Sequence, residues 1–144
     1  MSTDDDNNET EQSLGVRAVA CKGFLWMPGM LAMYTWGGTA RDRFLCADDD
    51  GVHMVVESKV VGEGEPLTWL RKRPASFARD CLPDLDDPAT LGCLLALVRE
   101  AWGGRRVWVM QIGGHWRVGD SLGWVGPTCD TEAEALVAAL EAAP

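Results

Sequence analysis

Over residues 88–102, PATLGCLLALVREAW, apolar side chains recur at spacings of three and four. Leu91, Leu94, Leu95, Val98, Ala101 and Trp102 form one stripe, while Arg99 and Glu100 lie off it. Asp87 stands where a helix wants a cap, Pro88 at the first helical position and Gly103 where an αL residue ends the run. The pattern predicts a core-facing helix over 88–102, with Cys93 bordering its stripe. A second helix is predicted over 132–142: Thr131 and Glu134 have capping-box spacing, and Ala133, Leu136, Val137 and Leu140 share a narrow apolar face. Glu132 and Glu134 in its first turn also suit the positive end of the helix dipole.

Between these helices RRVWVMQIGGHWRVGDSLGWVG alternates with period two and carries Gly113 and Gly114 at a turn. A two-residue loop would pair Gln111 with Trp116 and Met110 with Arg117, mixing apolar and polar groups on both faces. A three-residue loop from Gly113 to His115 pairs Ile112 with Trp116 and Met110 with Val118. Trp108, Met110, Ile112, Trp116 and Val118 then share one face, Gln111 and Arg117 share the other, and His115 stands at the tip. The pattern therefore favours the three-residue loop. Leu122 and Trp124 belong to a third strand, giving helix, strand, strand, strand, helix over 88–142.

The N-terminal half reads as strand-rich over 16–60. VRAVACKG, MLAMYTW, RFLCA and VHMVVES are short apolar or alternating runs, separated by a bend at Trp26–Gly29 and by a turn at Asp48, Asp49, Asp50 and Gly51. Residues 61–87, with Pro66, Pro74 and Pro83, read as an irregular connector in which only LTWLRK or ASFARD has the makings of a helical turn. The fold class expected is α+β: an antiparallel β-meander packed with two helices, plus additional short N-terminal strands, in one domain over 14–144.

Composition changes that picture little. At 144 residues and 47% hydrophobic the chain can bury a core without a disulfide or metal staple, and seven Trp against one Tyr promise large apolar contacts. Net charge is −9, but residues 1–13 hold Asp4, Asp5, Asp6, Glu9 and Glu11 without a Lys or Arg. The composition predicts a disordered acidic tail there. The surplus of acid argues against general nucleic-acid binding. The longest apolar runs fall short of the roughly 20 residues that cross a bilayer, and the acidic N-terminus is unlike a basic signal peptide, so a cytoplasmic protein is expected. Cys21, Cys46, Cys81, Cys93 and Cys129 show no CxxC spacing and are expected to be reduced and mostly buried.

Candidate chemistry is sparse. Cys46 to Glu57 has the outline of a calcium loop, with Asp48, Asp50, Gly51 and Glu57 in place, but Cys stands at its first position and its flanks read as strands, so a hairpin turn is the better reading. WGGTA, VGEGEP and QIGGHW lack the Lys and hydroxyl of a P-loop and read as turns. Carboxylates cluster in the tail, at the Asp48 turn and at helix starts, where solvation or capping accounts for them. His53 and His115 make a zinc site or a thiol catalyst only if Cys21, Cys46 or Cys129 converges on them, which spacing does not indicate. No catalytic residue, metal ligand or cofactor is assigned. The most suggestive surface stretch is TWLRKRPASFARD, where Trp69, Arg71, Lys72, Arg73 and Arg79 gather four of the thirteen basic residues. It suits an acidic partner surface, phosphate or RNA, or else pairing with the chain's own acidic tail.

DDPATLGCLLALVREAWG, a Trp-bearing meander and DTEAEALVAALEAAP together resemble the small phage-encoded proteins of the phage ABA-sandwich kind, and RAVACKGFLWMPGML is similar to the start of uncharacterised phage and prophage proteins. The resemblance spans residues 16–142 and implies an α and β sandwich of phage or prophage origin. It supplies no catalytic residue. The function it suggests is a non-enzymatic accessory protein that binds a protein partner, such as a bacterial defence nuclease complex, in the manner of an anti-CRISPR inhibitor in the host cytoplasm. Two alternatives stay open: a small enzyme or metal-binding protein with a Cys and His site, and a structural or replication-module phage protein acting as a homodimer or larger homo-oligomer.

Overall fold

The computed structural model of the chain describes residues 13–34, 41–47, 53–60, 67–74 and 81–144, with backbone alone for 45–47, 53–60 and 67–74. Three helices and eight strands are found among them, and the architecture is α+β, as the patterning predicts. The chain divides into two compact units, one of Trp26–Thr90 and the other of the chain up to Leu25 together with Leu91–Pro144.

The Trp26–Thr90 unit is a five-stranded antiparallel sheet. Its strands are β1 (Leu31–Tyr34), β2 (Arg41–Ala47), β3 (His53–Val60), β4 (Leu67–Pro74) and β5 (Cys81–Pro83), in the order β4-β3-β2-β1-β5. The bend expected at Trp26–Gly29 is a tight turn: Pro28 leads, Gly29 takes φ 101° and the Met30 amide donates to the Met27 carbonyl at 3.1 Å. Trp26 packs against Phe44 with ring centroids 4.8 Å apart and planes tilted by 51°, and Phe44, Met30 and Ala32 are buried. Asp48 to Gly51 lie outside the described residues, but β2 and β3 pair antiparallel on either side of them, so the flanks of the calcium-like stretch are strands.

The other unit holds α1 (residues 13–20), most of α2 (Pro88–Ala101), β6 (Val107–Ile112), β7 (His115–Asp120), β8 (Gly123–Trp124) and α3 (Glu132–Glu141). Both helix signals in the sequence are realised. Asp87 caps α2 by accepting from the Thr90 amide at 3.0 Å. At the other end the Gly103 and Gly104 amides return to the Glu100 and Arg99 carbonyls, with Gly103 at φ 77°. The Thr131 hydroxyl accepts from the Glu134 amide at 3.1 Å. Leu94, Val98, Val107, Val118, Leu136, Val137 and Leu140 are buried, each worth about 1.5–3 kcal/mol of transfer free energy. Leu97, left out of the predicted stripe, is buried with them. The Trp102 indole N–H donates to the Ala139 carbonyl at 2.9 Å, satisfying its polar atom.

Three expectations are corrected. VRAVACKG is not a strand: residues 13–20 are helical, because Leu14 and Ala18, one helical turn apart, are the buried positions while Val16 is exposed. LTWLRKRP is neither irregular nor helical but the eight-residue strand β4, paired along its whole length with β3. Its Pro74 is tolerated because β4 is the terminal strand of the sheet. The hairpin loop has two residues, not three: Ile112 pairs with His115, Gln111 with Trp116, Met110 with Arg117 and Val109 with Val118. Gly113 at φ 59° and Gly114 at φ 83° both take the left-handed conformation, and a two-residue turn of that kind matches the twist of the strands it joins. Turn geometry outweighs the segregation of faces.

Candidate functional site

The corrected register decides which side chains the meander shows to solvent. Cross-strand partners share a face, so Val107, Val109, Gln111, Trp116, Val118 and Asp120 lie on one side and Trp108, Met110, Ile112, His115, Arg117 and Gly119 on the other. Val107, Val118 and Asp120 of the first set are buried. The second set is the outer face, where Trp108 is 39% and Ile112 52% exposed, joined by Trp124, the partner of Gly119, at 45%; Leu122, 79% exposed, stands in the β7–β8 turn.

Local chemistry fixes this outer face. Trp124 lies across Gly119, where a Cβ would stand 2.9 Å from its Cε3 atom; only glycine lets the ring settle so close. The Arg117 guanidinium sits 4.7 Å from the Trp124 ring centroid, and its Nε donates to the Gly126 carbonyl at 2.9 Å. Asp120 holds the β7–β8 turn, its carboxylate accepting from the Leu122 amide at 2.8 Å and from Arg105 at 3.3 Å. Trp108, Met110 and Trp124 wall a shallow cleft of about 170 Å³ over Gly119. Apolar walls beside a stacked guanidinium suit an apolar side chain of another protein.

A larger open hollow, about 610 Å³, lies where α1, α2 and α3 end, lined by Cys21, Gly23, Ala101 and Leu140 and bordered by the Arg17–Glu141 ion pair. Arg17 and Glu141 satisfy each other's charge. The Cys21 thiol donates to the Arg17 carbonyl and is pushed above its ordinary pKa by burial; the Cys129 thiol is pushed up for the same reason. Both shifts reduce the thiolate fraction that a nucleophile or metal ligand requires. Cys81 is buried, but Cys21, Cys93 and Cys129 are only half-buried, which corrects the expectation of mostly buried thiols. His115 is exposed and lies 3.4 Å from Asp130; it pairs within β7 rather than standing in the loop. Among the described residues no group of three or more His, Cys, Asp and Glu is placed to hold a metal ion, and no helix is long and apolar enough to cross a membrane.

Trp69, Arg71, Lys72 and Arg73 fall on β4, opposite Ser58, Val56, Val55 and Met54, along the outermost strand of the five-stranded sheet. Arg79 lies outside the described residues. The outer face of the meander escaped the sequence reading because the three-residue loop placed Trp108, Met110 and Ile112 beside Val118, on what would be the core side. The Gly113-Gly114 pair, taken as a two-residue turn, was the signal that would have exposed them. Neither a family model, nor a curated protein, nor a solved structure matches the chain.

Proposed function

We propose that this protein acts without catalysis, by binding another protein through the outer face of its β-meander. The observation that carries this reading is the joint exposure of Trp108, Ile112 and Trp124 on one face of a small sheet, with Leu122 exposed in its β7–β8 turn and Arg117 stacked on Trp124. Grouped exposed apolar side chains are uncommon on a monomer surface, and Trp and Arg are the residues that most often dominate binding energy. The upward shifts of Cys21 and Cys129 support a non-enzymatic reading. The resemblance of the helical motifs to phage accessory proteins narrows the proposed partner to a bacterial immune effector such as a CRISPR nuclease complex, which the protein would inhibit by occupying a surface. The basic stretch from Trp69 to Arg73 is proposed as a further contact for acidic surface.

The test uses the full chain as bait in bacterial lysate, beside a Trp108→Ser, Trp124→Ser double variant of unchanged circular dichroism. A partner held in stoichiometric amount by the parent and lost by the variant is the expected result. Equal retention by both would move the binding surface elsewhere, and no retention by either would end the proposal.

A further inference from the structure

The register also fixes where the backbone of β6 points. A two-residue hairpin loop is closed by a hydrogen-bonded pair, here Ile112 with His115, and such pairs alternate, so Met110 with Arg117 and Trp108 with Gly119 also exchange hydrogen bonds. Val107, Val109 and Gln111 then aim their N–H and C=O groups away from β7. The same parity holds on β7, whose Trp116 and Val118 aim at the opposite neighbour: Trp116 exchanges bonds of 2.7 and 2.8 Å with Cys129, and the Val118 carbonyl accepts from Val125 at 3.0 Å.

β6 is the terminal strand of its sheet. On its open side the Val107 carbonyl accepts from Arg99 Nε at 2.9 Å, whereas no described residue bonds the outward groups of Val109 and Gln111. Exposed edges are normally guarded by charges, prolines or bulges. The terminal strand β4 of the other sheet has Arg71, Lys72, Arg73 and Pro74 in its sequence, but VWVMQI of β6 has no charge, no Pro and no Gly.

We infer that the occupant of this edge is a second copy of the chain, its β6 pairing antiparallel with the first about a twofold axis at Met110. The open groups are self-complementary under that operation. Val109 faces Gln111 of the partner copy twice, making four hydrogen bonds and leaving the Val107 carbonyl with Arg99. On the outer face Trp108 comes opposite Ile112 and Met110 opposite Met110. Arg106, exposed at the strand's start, comes opposite Gly114, so no charge meets its like. The twofold pairing consumes the edge, and β8 at the other side of the sheet has only two residues, so assembly closes at the dimer. β7 and β8, with Arg117 and Trp124, remain away from the join.

Sedimentation velocity on the full chain across micromolar concentrations tests this, beside Gln111→Pro and Met110→Lys. Proline at 111 removes an amide that the meander does not use, so the edge strand can accept it; lysine at 110 sets two ammonium groups across the axis. The parent is expected to sediment as a dimer with slowed exchange at the Val109 and Gln111 amides, and both variants as monomers with unchanged circular dichroism. Should Gln111→Pro unfold, Met110→Lys alone decides. A monomeric parent, open-ended polymerisation, or a dimer that survives both substitutions would overturn the inference. A monomeric parent that still captures a partner through Trp108 and Trp124 would leave the proposed function standing.

Discussion

The start of α2 and the outer face of the meander invert the usual distribution of side chains in opposite ways. At the first, polar groups are drawn inside. Arg43 donates twice to Asp87, both at 3.0 Å, and once to the Gly29 carbonyl at 2.8 Å. Asp87 also accepts from the Thr90 amide and hydroxyl, and that hydroxyl, fully buried, accepts from the Leu31 amide at 2.9 Å. At the second, Trp108, Ile112, Leu122 and Trp124 face water. A buried polar group and an exposed apolar group are both costly, so each requires a reason. For the polar cluster the reason is local: every group named there has a partner, and the cluster ties β1, β2 and the cap of α2 together. Within the meander Arg117 covers the Trp124 ring and Gly119 receives it, yet Trp108 and Trp124 both stay exposed, and cover from outside the chain is what the proposed function supplies.

The contrast predicts that the cluster carries stability and the face does not. Asp87→Ala removes the helix cap and leaves the Arg43 guanidinium, the Thr90 amide and the Thr90 hydroxyl each short of an acceptor. A loss of about 2–4 kcal/mol is expected, read as a lower urea midpoint at unchanged slope. Trp108→Ser should cost well under that. If the two substitutions cost the same, the division of labour fails.

Acid sharpens the same comparison. The Arg43 hydrogen bonds hold the Asp87 carboxyl below the usual range, with help from the Thr90 bonds and against the opposing effect of burial. A folded-state pKa below the unfolded one stabilises the protein above the unfolded value, near pH 4, and that contribution fades as pH falls through the folded value. Asp87→Asn should therefore flatten the dependence of unfolding free energy on pH below about 5, relative to the parent. Parallel curves would show that the Arg43 pair does not bias the carboxylate.

Where one segment held all its own signals, the sequence was readable. Both C-terminal helices follow from caps and spacing: Asp87 and Gly103 for α2, Thr131 for α3. The strand β4 was hidden because its Arg71, Lys72 and Arg73 read as irregular, whereas its identity comes from pairing with β3, a partner no local pattern names. In α1 the pattern conflicts with the fold: Val16 and Val19 suggest a strand, while burial selects Leu14 and Ala18 instead. The candidate site was lost for a subtler reason. Segregation of apolar from polar side chains favours a three-residue loop and the two glycines a two-residue one, and that one-residue difference turns Trp108, Met110 and Ile112 from the core side to solvent.

The smallest effect tests the face most finely. Adding a methyl at Gly119 puts Cβ 2.9 Å from Trp124 Cε3 and 3.3 Å from the Gly123 carbonyl oxygen, so the ring must lift from β7 and away from Arg117. Gly119 has no positive φ, so Gly119→Ala strains packing alone, and because the ring is half exposed the expected loss is only about 0.5–1 kcal/mol. Gly92→Ala in α2 is the matched control: its Cβ meets nothing within 4 Å, and relief of helix-interior glycine should stabilise by about 0.5–1 kcal/mol. The Trp124 indole resonance should shift in the first variant and stay in the second, and partner capture should fall only in the first. Undiminished capture by Gly119→Ala with a displaced Trp124 would show that the cleft between Trp108 and Trp124 is not where the partner seats.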